Sequence, residues 1–217
     1  MTSRALRITA STASASPQLS SGSPPVGLKV PAVEELRDVL DVPRSTAKPA
    51  PAYWLLGAHG GSGTSTLTAS WAPAADAQGA WPAADTHPSV VVVARTHRTG
   101  LNAAHVLLRQ AAAGLIGRAR LLGLVTIADH DGPLPALLRR QLGLVEELAP
   151  HGWRLPFIPE FRCASADQLP QWSPRDEPAA EPRKRFARRP DPTVTVHPAI
   201  AETGAEIFAA ARAAATR

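Results

Sequence analysis

Cysteine is nearly absent. Cys163 is the only one, which excludes an internal disulfide and a cysteine-based zinc site, and makes an intracellular, cytoplasmic location the expectation. With no partner thiol, Cys163 is expected to be a buried, inert side chain. No run approaches the roughly 18 consecutive apolar residues of a membrane span, so no spanning helix is expected. The start carries Arg4 and Arg7 but no apolar stretch of signal-peptide length, which argues against a secretory signal. None of the seven histidines falls in an H-E-x-x-H or comparable spacing, which leaves a metal enzyme without its ligand pattern.

What is there suffices for one folded domain with linkers. Hydrophobic residues make up 44% of the 217, enough for a core, while 22 prolines sit mostly outside the periodic segments. The net charge of +5 is concentrated: Arg183, Lys184, Arg185, Arg188 and Arg189 stand against Glu181 alone, so residues 181–190 carry +4 of it. The rest of the chain is nearly neutral.

Residues 1–30 are rich in Ser, Ala, Pro and Gly without periodicity and are expected to be a disordered tail. Residues 31–51 read as a short helix opened by Pro31, with Val33, Leu36, Val39 and Leu40 on one face, followed by a Pro/Ala linker. A strand–helix alternation fills 52–163. Tyr53 to Gly57 predicts a strand, and the helix after it starts near Ser65 and is cut at Pro73. Ala74 to Pro88 predicts a loop. Val90 to Val93 predict a strand buried on both faces, the mark of a parallel sheet covered by helices. A helix from Leu101, a strand over Leu121 to Ala128, a helix over Leu134 to Leu148 and a strand over Trp153 to Ile158 complete the α/β pattern. Right-handed crossovers then yield a small parallel sheet with flanking helices. Residues 164–198 read as a Pro/Arg-rich linker. A C-terminal helix over 199–217 carries Ile200, Ile207 and Ala211 on one side, and Gly204 inside it costs about 1 kcal/mol relative to Ala, so packing must hold it.

The distinctive segment is Ala58-His59-Gly60-Gly61-Ser62-Gly63-Thr64-Ser65-Thr66. A glycine loop between a strand and a helix lets backbone N–H groups wrap phosphates. Against G-x-x-x-x-G-K-[ST], Ala58 takes the first glycine position, Gly63 the second, Ser65 the metal-side hydroxyl, and Thr64 stands where lysine should be. The segment resembles the deviant loop K-G-G-x-G-K-[ST] of the ParA/MinD family of partition and positioning ATPases, with His59 matching the signature lysine and Thr64 the loop lysine. Trp153 to Pro159 is similar to that family's late strand, which ends in an apolar-Pro pair. The resemblance implies a P-loop NTPase-like fold and a homodimer. It also implies ATP or another nucleotide with magnesium, held by His59, Gly60, Gly61, Ser62, Gly63, Thr64, Ser65 and Thr66. Leu124 to Asp129 has the form of a Walker B strand, which makes Ser65 and Asp129 the candidate magnesium ligands; for Asp129 a turn or N-cap role is open too. Arg98, or Arg95, is the candidate to replace the lost lysine from another loop. With both lysines missing and no acidic strand after the first helix, weak or no hydrolysis is expected.

Three other readings compete. The loop is a turn that only joins strand to helix, or the sheet is the scaffold of a non-catalytic adaptor that binds DNA or an acidic protein through Arg183, Lys184, Arg185, Arg188 and Arg189. His59-Gly60-Gly61-Ser62 also resembles a lipase oxyanion loop, but G-x-S-x-G, the nucleophile elbow, occurs nowhere in the chain.

Overall fold

A computed structural model describes residues 28–40, 50–83, 88–176 and 193–216. In chain order the elements are β1 (Val39–Leu40), β2 (Tyr53–Gly57), α1 (Thr64–Ser70), β3 (Ala74–Asp76), β4 (Trp81–Pro82), β5 (Ser89–Arg95), α2 (Arg98–Ala112), β6 (Arg120–Ile127), α3 (Ala136–Glu146), β7 (Gly152–Leu155) and α4 (Pro198–Ala215). Five strands form one sheet in the order β3-β2-β5-β6-β7, every neighbour parallel. The mixed α/β fold with a small parallel sheet is therefore as read from the sequence.

Counted within the sheet, the strands run 2-1-3-4-5, the doubly wound order of flavodoxin-like sheets. The crossovers leave β2 in opposite directions, so a crevice opens outside the carboxyl ends of β2 and β5. Alternation along β5 feeds two cores: Val90, Val92 and Ala94 pack with α2 and α3, and Val91 and Val93 with α1 and α4. All five are fully buried, each valine contributing about 1.5–3 kcal/mol of apolar transfer.

Several expectations change. Residues 31–40 do not form a helix: a 3-10 turn at Val33–Glu35 leads into β1, which pairs in parallel with β4. Gln110, 1% exposed in the last turn of α2, ties this segment down. Its Oε1 accepts from Arg37 N (3.0 Å), while its Nε2 donates to Arg37 O (2.7 Å) and Leu115 O (2.9 Å). Those bonds tie both main-chain groups of Arg37 to α2, and Asp38 O accepts from Trp81 N at 2.8 Å. Ala74 to Pro88 is not all loop either, since β3 supplies the strand after the first helix and pairs with β2 over three residues. Its Asp76 is spent on a turn, Oδ1 accepting from Gln78 N at 2.7 Å, where Gln78 has a φ of 54°.

The segment after Arg162 is irregular but packed. Leu169 and Trp172 are buried, and Trp172 forms a parallel bridge with Trp71. Cys163 is exposed, against the expectation of a buried thiol, because the 3-10 turn Pro159–Arg162 carries it along the surface. The stripe Ile200, Ile207 and Ala211 does bury, as its spacing predicts. Residues 1–27, and with them most of the expected tail, lie outside the described residues. Among the described residues no helix is long and apolar enough to cross a membrane.

Candidate functional site

The glycine loop leaves β2 at the sheet's carboxyl edge. Gly61 and Gly63 take φ of 76° and 97°, a region open to glycine, and Gly63 caps α1 with no side-chain bond to its first-turn amides. Thr64, at the lysine position, turns inward: its Oγ1 lies 2.7 Å from Ser62 Oγ, and both residues are buried. A Cβ on Gly57 would come within 2.6 and 2.7 Å of these hydroxyls, so they fill the space beneath the loop.

His59 folds back on its own chain. Its Nε2 accepts from Arg95 N (3.2 Å) and its Nδ1 donates to Gly60 O (2.8 Å). The ring meets His97 edge-on, with centroids 4.8 Å apart. His97 in turn caps α2, its Nδ1 accepting from Gly100 N at 3.0 Å, which starts that helix at Arg98 and not near Leu101. The two imidazoles thus sit together just past the carboxyl ends of β2 and β5.

Arg95, the last residue of β5, brings a cation to the loop: its Nε donates to Gly61 O at 3.0 Å. Arg98 is exposed in the first turn of α2. Sequence reasoning weighed both, and what separates them is that β5 ends at Arg95, beside the loop, whereas Arg98 has already entered the helix.

A cleft of about 380 Å³ opens next to the loop, lined by Gly63, Thr66 and Leu67, by Arg95, by Ile127 to Asp129 and by Leu155 to Ile158, with Phe161, Arg162 and Ile200. It crosses the carboxyl ends of β5, β6 and β7 on the α1/α4 face, beside the switch point between β2 and β5. One wall is polar and the other aromatic and apolar. Gly63, Thr66 and Asp129 of the sequence candidates line it. His59, Gly60, Gly61, Ser62 and Thr64 shape the loop behind, and Ser65 is exposed outside the lining, so the hydroxyl-bearing residue of α1 that lines the cleft with Asp129 is Thr66. The amide of Asp129 donates to Thr96 Oγ1 at 3.2 Å. Phe157, Phe161 and Arg162 were not identified from sequence as site residues; the late-strand resemblance over Trp153 to Pro159 was the one signal for that wall.

A smaller cleft of about 240 Å³ lies on the α3 face, with His130, Arg139 and Arg154 in its lining. Its cations are engaged: Arg139 donates to Leu134 O at 3.0 Å, and Arg154 grips the Glu146 carboxylate through two nitrogens, which raises the Arg154 pKa above its ordinary value. Among the described residues no three His, Cys, Asp or Glu side chains gather as metal ligands. Arg183, Lys184, Arg185, Arg188 and Arg189 lie outside the described residues.

Comparison with curated proteins finds no match, and neither does comparison with solved structures. The loop, both clefts' strands and the packed segment through Trp172 all fall within residues 51–174, the stretch matched by DUF6668, a family of unknown function. That stretch is more than half of the 217 residues, and the chain belongs to this family.

Proposed function

We propose that this protein binds a nucleoside di- or triphosphate in the larger cleft, as a degenerate P-loop protein of ParA/MinD type with weak or no hydrolysis, acting in a partition- or positioning-type system as a homodimer. The observation that carries the reading is Arg95, whose guanidinium is tied to the carbonyl of Gly61 and lines the same cleft as Gly63. A guanidinium held against a glycine loop suits phosphate oxygens, which it contacts through charge-assisted bonds. The opposite wall, Pro156, Phe157 and Phe161, offers an apolar face for a base, and the volume lies in the range of small-molecule sites.

Magnesium is commonly bound through one or two carboxylates together with substrate phosphates. Asp129 and Thr66 fit that modest donor set, and they line the cleft together. With Thr64 bonded to Ser62 and no lysine in the loop, Arg95 is the cation bonded to the loop among the described residues, with Arg162 also lining the cleft, and a phosphoryl-transfer site with so little charge turns over slowly.

Thermal-shift and calorimetric titration with ATP, ADP, GTP and GDP, each with and without magnesium, tests the reading. Ligand at 100 times its Kd adds about 2.7 kcal/mol of stability. Arg95→Gln is expected to weaken binding about tenfold or more, as loss of a charge-assisted bond of roughly 1.5–3 kcal/mol requires. Absence of binding by all four nucleotides, or equal binding by Arg95→Gln, removes the proposal. The concentration of charge at 183–189 favours a second reading, an adaptor for nucleic acid or an acidic protein, and nucleotide-independent, strongly salt-dependent DNA binding is the result that would select it.

A further inference from the structure

We infer that His59 is a positioning residue that acts through Arg95, and that a cation in its place weakens anion binding; the affinity part of this inference rests on the nucleotide reading above. The reason lies in one broken step of the parallel ladder. Ala58 N donates to Val93 O at 2.9 Å, and in a continued ladder Arg95 N would donate in turn to Ala58 O. That carbonyl instead accepts from Arg37 Nη2 at 3.3 Å, and the chain departs into the glycine loop. The imidazole Nε2 supplies the missing acceptor.

Both ring nitrogens are committed in opposite senses. A carbonyl only accepts, so the Nδ1···Gly60 O contact of 2.8 Å requires the proton on Nδ1, and the Arg95 N–H requires Nε2 bare. The ring cannot slide away, since it rests on Gly100 so closely that a Cβ there would lie 2.8 Å from Nε2 and 2.4 Å from Arg95 O. His97 also packs edge-on against it, its Cε1 3.1 Å from the same Cβ position. Arg95 is thus fixed at two points, its N–H by His59 and its Nε by Gly61 O, and the second bond places the guanidinium over the loop.

The consequence opposes simple charge counting. Lysine at position 59, which K-G-G-x-G-K-[ST] calls for, has three donors and no acceptor. His59→Lys sets a cation against the Arg95 N–H, removes its acceptor and displaces the guanidinium, while β6 still holds the end of β5 through Thr96 N, which donates to Ile127 O at 3.0 Å. Glutamine carries an acceptor oxygen about as far along its side chain as Nε2, so His59→Gln keeps the bond.

Two measurements on the full chain decide this. Long-range 1H–15N NMR is expected to find the His59 proton on Nδ1 with Nε2 bare, and the Arg95 Nε–H protected from exchange in wild type and His59→Gln but not in His59→Lys. Calorimetry with Mg-ADP is expected to give His59→Gln within about threefold of wild type and His59→Lys weaker by about tenfold. The double variant His59→Lys/Arg95→Gln should be no weaker than Arg95→Gln alone, because the two act as one unit. A proton on Nε2, an equally protected Arg95 Nε–H in His59→Lys, or tighter Mg-ADP binding by that variant overturns the inference. If wild type binds none of the four nucleotides, the nucleotide reading and the affinity claim fall together, and the two NMR results still decide the positioning of Arg95; if it binds one of them but not Mg-ADP, the calorimetry uses that one.

Discussion

Two helical glycines in this chain should respond to the same substitution with opposite signs. Gly143 sits in α3, and a Cβ built there meets nothing within 4 Å. Gly143→Ala is therefore expected to stabilise by about 1 kcal/mol, the propensity difference alone. Gly204 sits in α4, where a Cβ would lie 2.7 Å from Trp71 Nε1, 2.8 Å from Trp71 Cδ1 and 2.8 Å from Trp172 Cε3. Neither indole has room to retreat. Trp71 is fully buried, its Nε1 donates to Ile200 O at 2.8 Å, and its ring lies edge-on to Tyr53 at 6.5 Å. Trp172 is held through its main chain, donating to Ser70 O at 2.8 Å and accepting from Ala72 N at 2.9 Å. Overpacking of this kind costs typically 1–3 kcal/mol. Set against the same propensity gain, Gly204→Ala comes out destabilising by up to about 2 kcal/mol. For a chain of this size 1 kcal/mol moves Tm by roughly 2–4 °C, so the two variants should separate by several degrees in one calorimetric experiment. A Gly204→Ala protein as stabilised as Gly143→Ala would mean that α4 does not press against the tryptophans, and the account of its docking would fail.

The remaining predictions concern the loop and the helix behind it. Thr64→Val leaves Ser62 Oγ buried without its partner and should cost about 1–2 kcal/mol in urea unfolding, while adding Ser62→Ala to it should recover part of that loss; full additivity would mean the hydroxyls do not interact. Gln110→Leu should destabilise by about 2–4 kcal/mol and expose the 28–40 segment to limited proteolysis, because it orphans Arg37 N, Arg37 O and Leu115 O together; an unchanged cleavage pattern counts against that strap. His105 has its pKa lowered, by burial first and by the charge of Arg109 second. Its neutral form is favoured in the folded chain, so this stability is present above the usual histidine range and is lost as pH falls through the depressed value. His105→Gln should flatten the acid side of the stability profile, and an unchanged slope would refute the assignment.

Read as sequence, this chain was most informative where burial is local. Four successive valines have one explanation in a covered parallel sheet, and Val90 to Val93 are that central strand. The glycine loop after Tyr53–Gly57 and the stripe Ile200, Ile207 and Ala211 were legible for the same reason: each element carries the pattern of its own buried face. Other features depend on partners far away in the chain. β3 has only Ala74, Ala75 and Asp76, and it is a strand because β2 offers it an edge. Arg37 is tied to α2 by Gln110, 73 residues on.

The same division runs through the candidate site. Residue types alone announced a glycine loop between strand and helix with no lysine in it, because glycine spacing and a missing cation are properties of the string. Which arginine reaches that loop, which residue of α1 lines the cleft with Asp129, and whether His59 points outward or back onto Arg95 were decided only in three dimensions, since each depends on where β5, β6 and the loop end relative to one another. A strand end fixes the direction of its last side chain to within one residue, and shifting by one residue reverses that direction.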